Sequence, residues 1–453
     1  MEIKEIINFL KGGHTYMWGI LGLIGGLAIL TILVMRGMNL LIAAPLSALI
    51  VGVFNGLPLF SQLAVGKQTD FVTSYMDGFS GFVTSWYLMF LTGAIFGKVM
   101  EDSGAAESVS HWIIKKIGMK RAVLAIVLAC GVLTYGGVSL FVVAFAVYPM
   151  AVNLFKESDF PRRFIPATLA LGSTTFTMTS AGSPEIQNWI PIPYLHTSPY
   201  AGWGVSLVTA LFMLIAGYLW LMHMIKKAKR KGEYFISREN DEVESRKGLP
   251  NPFLSIIPLL IVLVVAFVLH DVLEQSALII ALTSGVIATW ILNRSYFRDF
   301  WKAVGNGTEG ALIALGNTSA VVGFGSVAQV TPAFKSAIDY VTSLPGSPLI
   351  TGAFAVMVIA GLTGSSSGGQ SIALPILGPH YLDMGVNADA LHRTVSMSSG
   401  TLDSLPHGGY AVTTIRSIAG ESHKDAYPAF GAMTVIIPLL AVIIAVTLFM
   451  IGF

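Results

Sequence analysis

Four stretches of small and hydroxylated residues interrupt an otherwise apolar chain: Thr134–Ser139 (TYGGVS), Gly172–Asn188 (GSTTFTMTSAGSPEIQN), Thr363–Ser371 (TGSSSGGQS) and Ser398–Gly409 (SSGTLDSLPHGG). Glycine lets a backbone approach a bound molecule closely. Where such residues break a helix, freed N–H groups favour an anion, and freed carbonyls and hydroxyls favour a cation. The economical reading is a small anion bound together with a coupling cation. Candidate ligands of the anion are Thr134, Gly136, Gly137, Ser139, Ser173, Thr174, Ser365, Ser366, Ser367, Gly368, Gly369, Gln370, Thr401 and His407. Candidates for the cation are Ser183, Glu185, Asn188 and Asp403. Glu185 and Asp403 are acids inside the breaks, suited to carry a proton or ligate a cation unless a neighbour at the interface pairs with them. His407, four residues after Asp403, could relay a proton or orient a ligand, or be a hydrogen-bonded structural residue. Gln187, Asn188, Gln370 and Ser371 are neutral groups suited to hydroxyls. One Gly/Ser pair alone would read as helix packing; four segments in matched pairs point to a site.

Arg163 and Arg393 each precede a broken segment. Each could draw a carboxylate inward or snorkel to the headgroups. Trp86, Tyr87, Trp189, Tyr194, Tyr200 and Trp203 are expected mostly in interfacial belts. The single cysteine, Cys130, lies in an apolar run and excludes an intramolecular disulfide. There is no HExxH, P-loop or Cys/His metal spacing, so no enzyme chemistry, resident metal or cofactor is expected beyond a coupling H+ or Na+. Nothing points to a nucleic-acid partner.

The elements that must position these residues lie in a membrane. The 453 residues are 54% hydrophobic and 11% charged, against about 25% charged in soluble domains. A span needs about 20 mostly apolar residues. Spans are expected at Tyr16–Met35, Asn39–Phe60, Gly81–Met100, Gly202–Met222, Phe253–Leu269, Ser276–Leu292, Ala311–Val330 and Ala426–Phe453. Ala122–Phe155, Phe164–Pro193 and Leu349–Ile418 are apolar but broken, which survives at membrane depth only inside protein or beside a cavity. Met1–Gly13 lacks a basic-then-apolar start, so the first apolar stretch is expected to be a retained span. Basic residues concentrate at Lys226–Lys247, Lys115–Arg121, Arg294–Lys302 and Arg416–Lys424, which puts these segments in the cytoplasm and the N-terminus outside. The expectation is an all-α polytopic protein of a bacterial inner membrane, with about ten spans and two re-entrant hairpins.

The chain also resembles itself. Gly97–Gly118 matches Gly325–Gly346, and Leu133-Thr134-Tyr135-Gly136-Gly137 matches Leu362-Thr363-Gly364-Ser365-Ser366. Pro149 pairs with Pro379, Arg163 with Arg393 and Gly172 with Gly400, at a nearly constant offset. The first interfacial helix ends in Lys115–Lys116, whereas its counterpart, Pro332–Leu344, carries only Lys335 beside Asp339, which fits opposite faces. Two inverted repeats follow: residues 1–225, with a hairpin at about 121–156 and a broken helix at about 161–193, and residues 253–453, with a hairpin at about 348–385 and a broken helix at about 388–418. Residues 226–252 would form a cytoplasmic linker. Inverted repeats with broken helices point to a secondary transporter with its site at the repeat interface; an anion channel or a membrane-embedded enzyme are the other classes considered.

SSGTLDSLPHGG at 398–409, following GSSSGGQSIALPILGP at 364–379, resembles the gluconate permease (GntP) family of the ion-transporter superfamily, and within it the 3-hydroxybutyrate permeases. The likeness runs over essentially the whole chain. The first tip, TYGGVS, departs from the more acidic, aromatic tip of gluconate carriers, which favours a shorter hydroxy acid. The resemblance implies an elevator-type homodimer that carries a small hydroxylated monocarboxylate, such as 3-hydroxybutyrate or gluconate, by proton symport. Some superfamily relatives use sodium, which the Ser/Thr/Asn-rich tips would also suit.

Overall fold

The computed structural model describes residues 3–64, 69–118, 121–238, 248–336 and 346–453, and every regular element among them is helical. The first half begins with α1 (Ile3–Met35) and α2 (Leu40–Phe54), the latter started by the Asn39 side chain accepting from Leu41 N–H. The long α3 (Phe71–Asp102) starts on Asp70, whose carboxylate accepts from Thr73 N–H at 2.9 Å. A short amphipathic α4 (Ala105–Ile117) follows. Next come two arms, α5 (Ala122–Tyr135) and α6 (Leu140–Glu157), joined through Gly136-Gly137-Val138-Ser139. The first broken segment runs from α7 (Ile165–Ala170) into a π turn at Leu171–Thr175, then through irregular backbone to a turn at Ile186–Asn188 and α8 (Ile192–Leu195). α9 (Trp203–Arg230) closes this half.

The second half contains α10 (Pro252–Leu273), α11 (Ser276–Leu292), and the long α12 (Phe300–Gln329) started by Asp299. Its arms are α13 (Pro348–Thr363) and α14 (Ser366–Asp383). Its broken segment is α15 (Ala388–Leu402), an irregular stretch, then α16 (Gly409–Val412) continuing into a π turn at Thr413–Ile418. α17 (His423–Gly431) passes through another π turn, Ala432–Ile436, into α18 (Ile437–Met450). The expected interfacial helix Pro332–Leu344 falls partly outside the described residues, since 337–345 are not among them.

Among the described residues, seven helices are long and apolar enough to cross a bilayer: Met17–Val34, Phe71–Asp102, Leu140–Glu157, Trp203–Arg230, Pro252–Leu273, Phe300–Gln329 and His423–Met450. The expectation of about ten spans therefore stands only as a multi-span helical protein. Leu40–Phe54, with 15 residues, is about 22 Å long at 1.5 Å per residue, short of a hydrocarbon core of about 30 Å. Two spans start about ten residues earlier than expected, at Phe71 and Phe300. Their first turns carry Asp77, Ser80, Lys302, Asn306 and Glu309, which dilute the apolar signal while the Asp caps still nucleate the helix.

On α9, Leu207, Leu211, Ile215 and Leu219 point outward while Val205, Met213, Gly217 and Leu221 are buried. An exposed aliphatic stripe at helical spacing fits a hydrocarbon solvent. α3 and α12 run antiparallel in close contact: Gly323 packs on the backbone of Tyr75, Gly78 on Val322 and Ser326, and Gly307 on the backbone of Ala94 and Ile95. Tyr75 donates its hydroxyl proton to the Ala320 carbonyl at 3.0 Å. Two of the tryptophans expected in interfacial belts are core residues instead. Trp86 is buried, and Trp189 is wholly buried with its indole N–H on the Ser183 carbonyl, because both sit on inward faces against other helices.

Candidate functional site

The second pair of arms meets both broken segments through one polar network. Gly364, at φ +62°, turns the chain at the tip, and Ser365 caps α14 by accepting from Gly368 N–H at 3.1 Å. Gln187, from the turn after the first break, donates to the Ser366 hydroxyl at 3.0 Å. The Asp403 carboxylate lies beside Ser366 and accepts from the Ser404 hydroxyl at 3.0 Å. Gln370, one turn further along α14, donates to the Gln187 carbonyl at 3.0 Å and to the Ser399 hydroxyl at 2.7 Å. Ser396 donates to the same Gln187 carbonyl at 3.2 Å. α14, α15 and the Ile186–Asn188 turn are thereby tied into one polar core.

The first pair of arms is arranged differently. Glu185 accepts from Leu140 N–H at 3.2 Å, so the protein's own carboxylate occupies the N-terminus of α6. Ser139 caps that helix by position but makes no side-chain cap bond. The tip glycines Gly136 and Gly137 pack on Leu259 and Val262 of α10. Thr134 is buried, and its hydroxyl has no hydrogen-bond partner among the described residues. The two breaks touch where Ser173 and Tyr410 share a hydrogen bond of 2.7 Å. Beside this contact, Thr174 bonds back to the Ala170 carbonyl at 2.8 Å.

Arg393 and Arg163 have different surroundings. Arg393 is wholly buried, which rules out snorkelling for it. It donates to the carbonyls of Ala201 (2.9 Å), Thr179 (2.5 Å) and Pro199 (3.1 Å) and to Asn188 Oδ1 (2.8 Å). Arg163, with a side chain 27% exposed, forms a two-bond pair with Glu233 at 2.7 and 3.0 Å.

The remaining expected residues fall into place around this frame. Asn188 is consumed by Arg393 and by the carbonyls of Ser183 and Pro199, and Ser183 accepts from Glu185 N–H, so both act as local scaffolding. Gly369 packs against Ala360 and Gly368 against Val321, which makes them close-packing positions rather than free backbone. Ser367 lies 3.3 Å from the Ser365 hydroxyl, and Thr401 bonds back to the Ser398 carbonyl. His407 hydrogen-bonds the Gly361 carbonyl at 2.9 Å, so its ring is tied to α13 and no bond joins it to Asp403. Sequence reasoning missed Ser396, Ser399 and Tyr410; the spacing of the two serines, three residues apart on one helix face, was the available signal. Among the described residues no cluster of three or more His, Cys, Asp or Glu side chains could hold a metal ion.

Comparison with known proteins places this architecture. The uncharacterized transporter YxjC of Bacillus subtilis (strain 168) is 36% identical over 448 residues, covering 88% of this chain and 92% of its own. A high-affinity gluconate transporter of Escherichia coli (strain K12) is 26% identical over 159 residues, 34% of this chain and 33% of its own. That alignment covers about a third of the chain. The crystal structure of the Alcanivorax borkumensis YdaH transporter shares the fold, with a TM-score of 0.59 at 12% identity, covering 94% of this chain and 99% of that one. The family that matches, over residues 26–304, is the citrate transporter family, CitMHS. The chain belongs to that family, and is a multi-pass membrane transporter rather than an enzyme.

Proposed function

We propose that the protein is a proton-coupled symporter of a small hydroxylated monocarboxylate such as 3-hydroxybutyrate or gluconate. The observation that carries this is the position of Asp403, whose carboxylate lies beside Ser366 at the N-terminus of α14. Ser365 claims Gly368 N–H and Gly369 N–H, leaving those of Ser366 and Ser367 as the unclaimed donors of that turn among the described residues. A substrate carboxylate there gains two N–H bonds and the helix dipole, but meets Asp403. At an effective dielectric of about 20, two such charges repel by roughly 3 kcal/mol, about a hundredfold in affinity. Protonation of Asp403 removes the repulsion, so proton and anion bind together. The equivalent position at α6 is filled by Glu185, which leaves one anion site.

The charge inventory favours one carboxylate over the three of citrate. Among the described residues, Arg393 is the basic side chain that reaches this network, and its bonds go to protein oxygens. The order of elements also supports two inverted repeats: α3, α5, α6 and α9 correspond to α12, α13, α14 and the His423–Met450 helix. Corresponding spans that run antiparallel, as α3 and α12 do, are what inversion in the membrane plane requires. In this reading the arms and breaks form a mobile unit sliding on a homodimeric scaffold.

The test is uptake into proteoliposomes. An inward proton gradient should drive saturable accumulation. Asp403→Asn should abolish the gradient dependence yet keep substrate exchange, and Glu185→Gln, which still caps α6, should keep both. Uptake driven by sodium alone would replace the coupling ion. Uptake indifferent to both gradients would remove symport.

A further inference from the structure

We infer that the side-chain oxygens of Gln370 and Gln187 form an acceptor-only pair that reads the substrate's hydroxyl and refuses keto and deoxy analogues of the same acid. This rests on the carrier reading above. It follows from the direction of each hydrogen bond in the network. The Gln187 carbonyl can only accept. The Ser399 hydroxyl gives its single proton to the Ser396 carbonyl at 2.8 Å, so towards Gln370 it too must accept. Both neighbours therefore require the amide nitrogen, which fixes the orientation of the Gln370 amide and sends Oε1 elsewhere. That oxygen is buried, on a residue with no solvent exposure, and has no hydrogen-bond partner.

Gln187 repeats the pattern: it donates through Nε2 to the Ser366 hydroxyl at 3.0 Å, and its Oε1 is also buried and unpartnered. The side-chain donors of Gln370, Gln187, Ser396 and Ser399 are spent on protein oxygens, and the two amide oxygens are left in need of a donor. Gln370 lies four residues beyond Ser366, on the same face of α14 and one turn from the free N–H groups. A carboxylate on the first turn thus places a hydroxyl a few bonds away against Gln370. A keto oxygen would set lone pairs against lone pairs, and a bare methylene would bury both acceptors unsatisfied.

The test uses the wild-type protein in proteoliposomes. 3-Hydroxybutyrate, 3-oxobutyrate and butyrate compete against labelled 3-hydroxybutyrate, with lactate, pyruvate and propionate as a second set. The hydroxy acid of the better set should bind at least about tenfold more tightly than its keto and deoxy partners. Gln370→Met, checked for a monodisperse elution profile, should bring the ratio towards one. A wild-type ratio below tenfold overturns the inference, as it would if ordered water satisfied the two oxygens. Uptake of none of these acids, nor of gluconate, overturns the carrier reading and this inference together; undiscriminating uptake overturns this inference alone.

Discussion

Arg163 and Arg393 occupy matching positions in the sequence, yet their replacement should have very different consequences. In Arg393→Met the aliphatic stem and volume largely remain while every donor disappears. The carbonyls of Ala201 and Thr179 and the amide oxygen of Asn188 then lose this donor, whereas the Pro199 carbonyl keeps Gly182 N–H and the Asn188 amide. Each buried acceptor left unsatisfied costs about 1–3 kcal/mol, so three give roughly 3–9 kcal/mol. Against this stands the several kcal/mol no longer needed to desolvate a guanidinium. The net loss expected is about 2–5 kcal/mol. Arg163→Met removes two bonds to Glu233 from a side chain that remains 27% exposed, and after solvent screening this is worth about 0.2–1 kcal/mol. Stepwise SDS unfolding in mixed micelles, followed by tryptophan fluorescence, measures both variants against wild type. Arg393→Met within about 1 kcal/mol of wild type, or no more costly than Arg163→Met, would refute the account of Arg393 as the anchor between the broken segments.

Two further outcomes follow from local geometry. Gly369→Ala places a methyl 2.7 Å from the Cα and Cβ of Ala360, where backbone cannot yield cheaply; the same SDS titration should show a loss of about 1–3 kcal/mol as the arms are forced apart. Asp159, in the connection after α6, accepts from Phe235 N–H at 3.1 Å and pairs with Lys229 at 3.3 Å, which holds its carboxyl below the ordinary value of 3.8. A carboxyl with a lowered folded-state pKa stabilises the fold above its unfolded value, and that contribution disappears as the pH falls through the folded value. Thermal midpoints between pH 3 and 7 should therefore show wild type above Asp159→Asn near neutrality and the two converging in acid; a constant gap across the range would contradict the linkage. Asn also tolerates the backbone there, at φ +51°, so the swap isolates the charge.

The arms were readable from sequence because their tips are punctuated. Gly136-Gly137 and Thr363-Gly364-Ser365 stop one helix and start the next within a few residues, α5 passing into α6 and α13 into α14. The starts of α3 and α12 were not readable, because a hydropathy pattern does not register a polar first turn capped by Asp70 or Asp299. The composition of the site was visible, but the division of labour within it was not. Gly368 and Gly369 looked like backbone open to a ligand and prove to be packing surfaces; Asn188 looked like a cation ligand and holds Arg393. Tryptophan is commonly interfacial, and no local pattern announces that the Trp189 indole finds the Ser183 carbonyl in the core. Such roles depend on which segments meet, and that is set by tertiary packing between residues far apart in the chain.

The crossing of α3 and α12 limits how independently the two halves of the chain can drift. Gly78, Gly307 and Gly323 each lie where an added methyl would come within 3 Å of the opposite helix, at Ser326, Ile95 and Tyr75 respectively. A side chain gained on one helix is tolerated only if the other gives way, so substitutions here must be compensated across the chain rather than along it. The lipid-facing stripe of α9, in contrast, accepts any aliphatic residue singly. Tolerance to change should therefore be lowest at a place that touches no ligand, and a deep mutational scan would mark this crossing as sharply as the binding network.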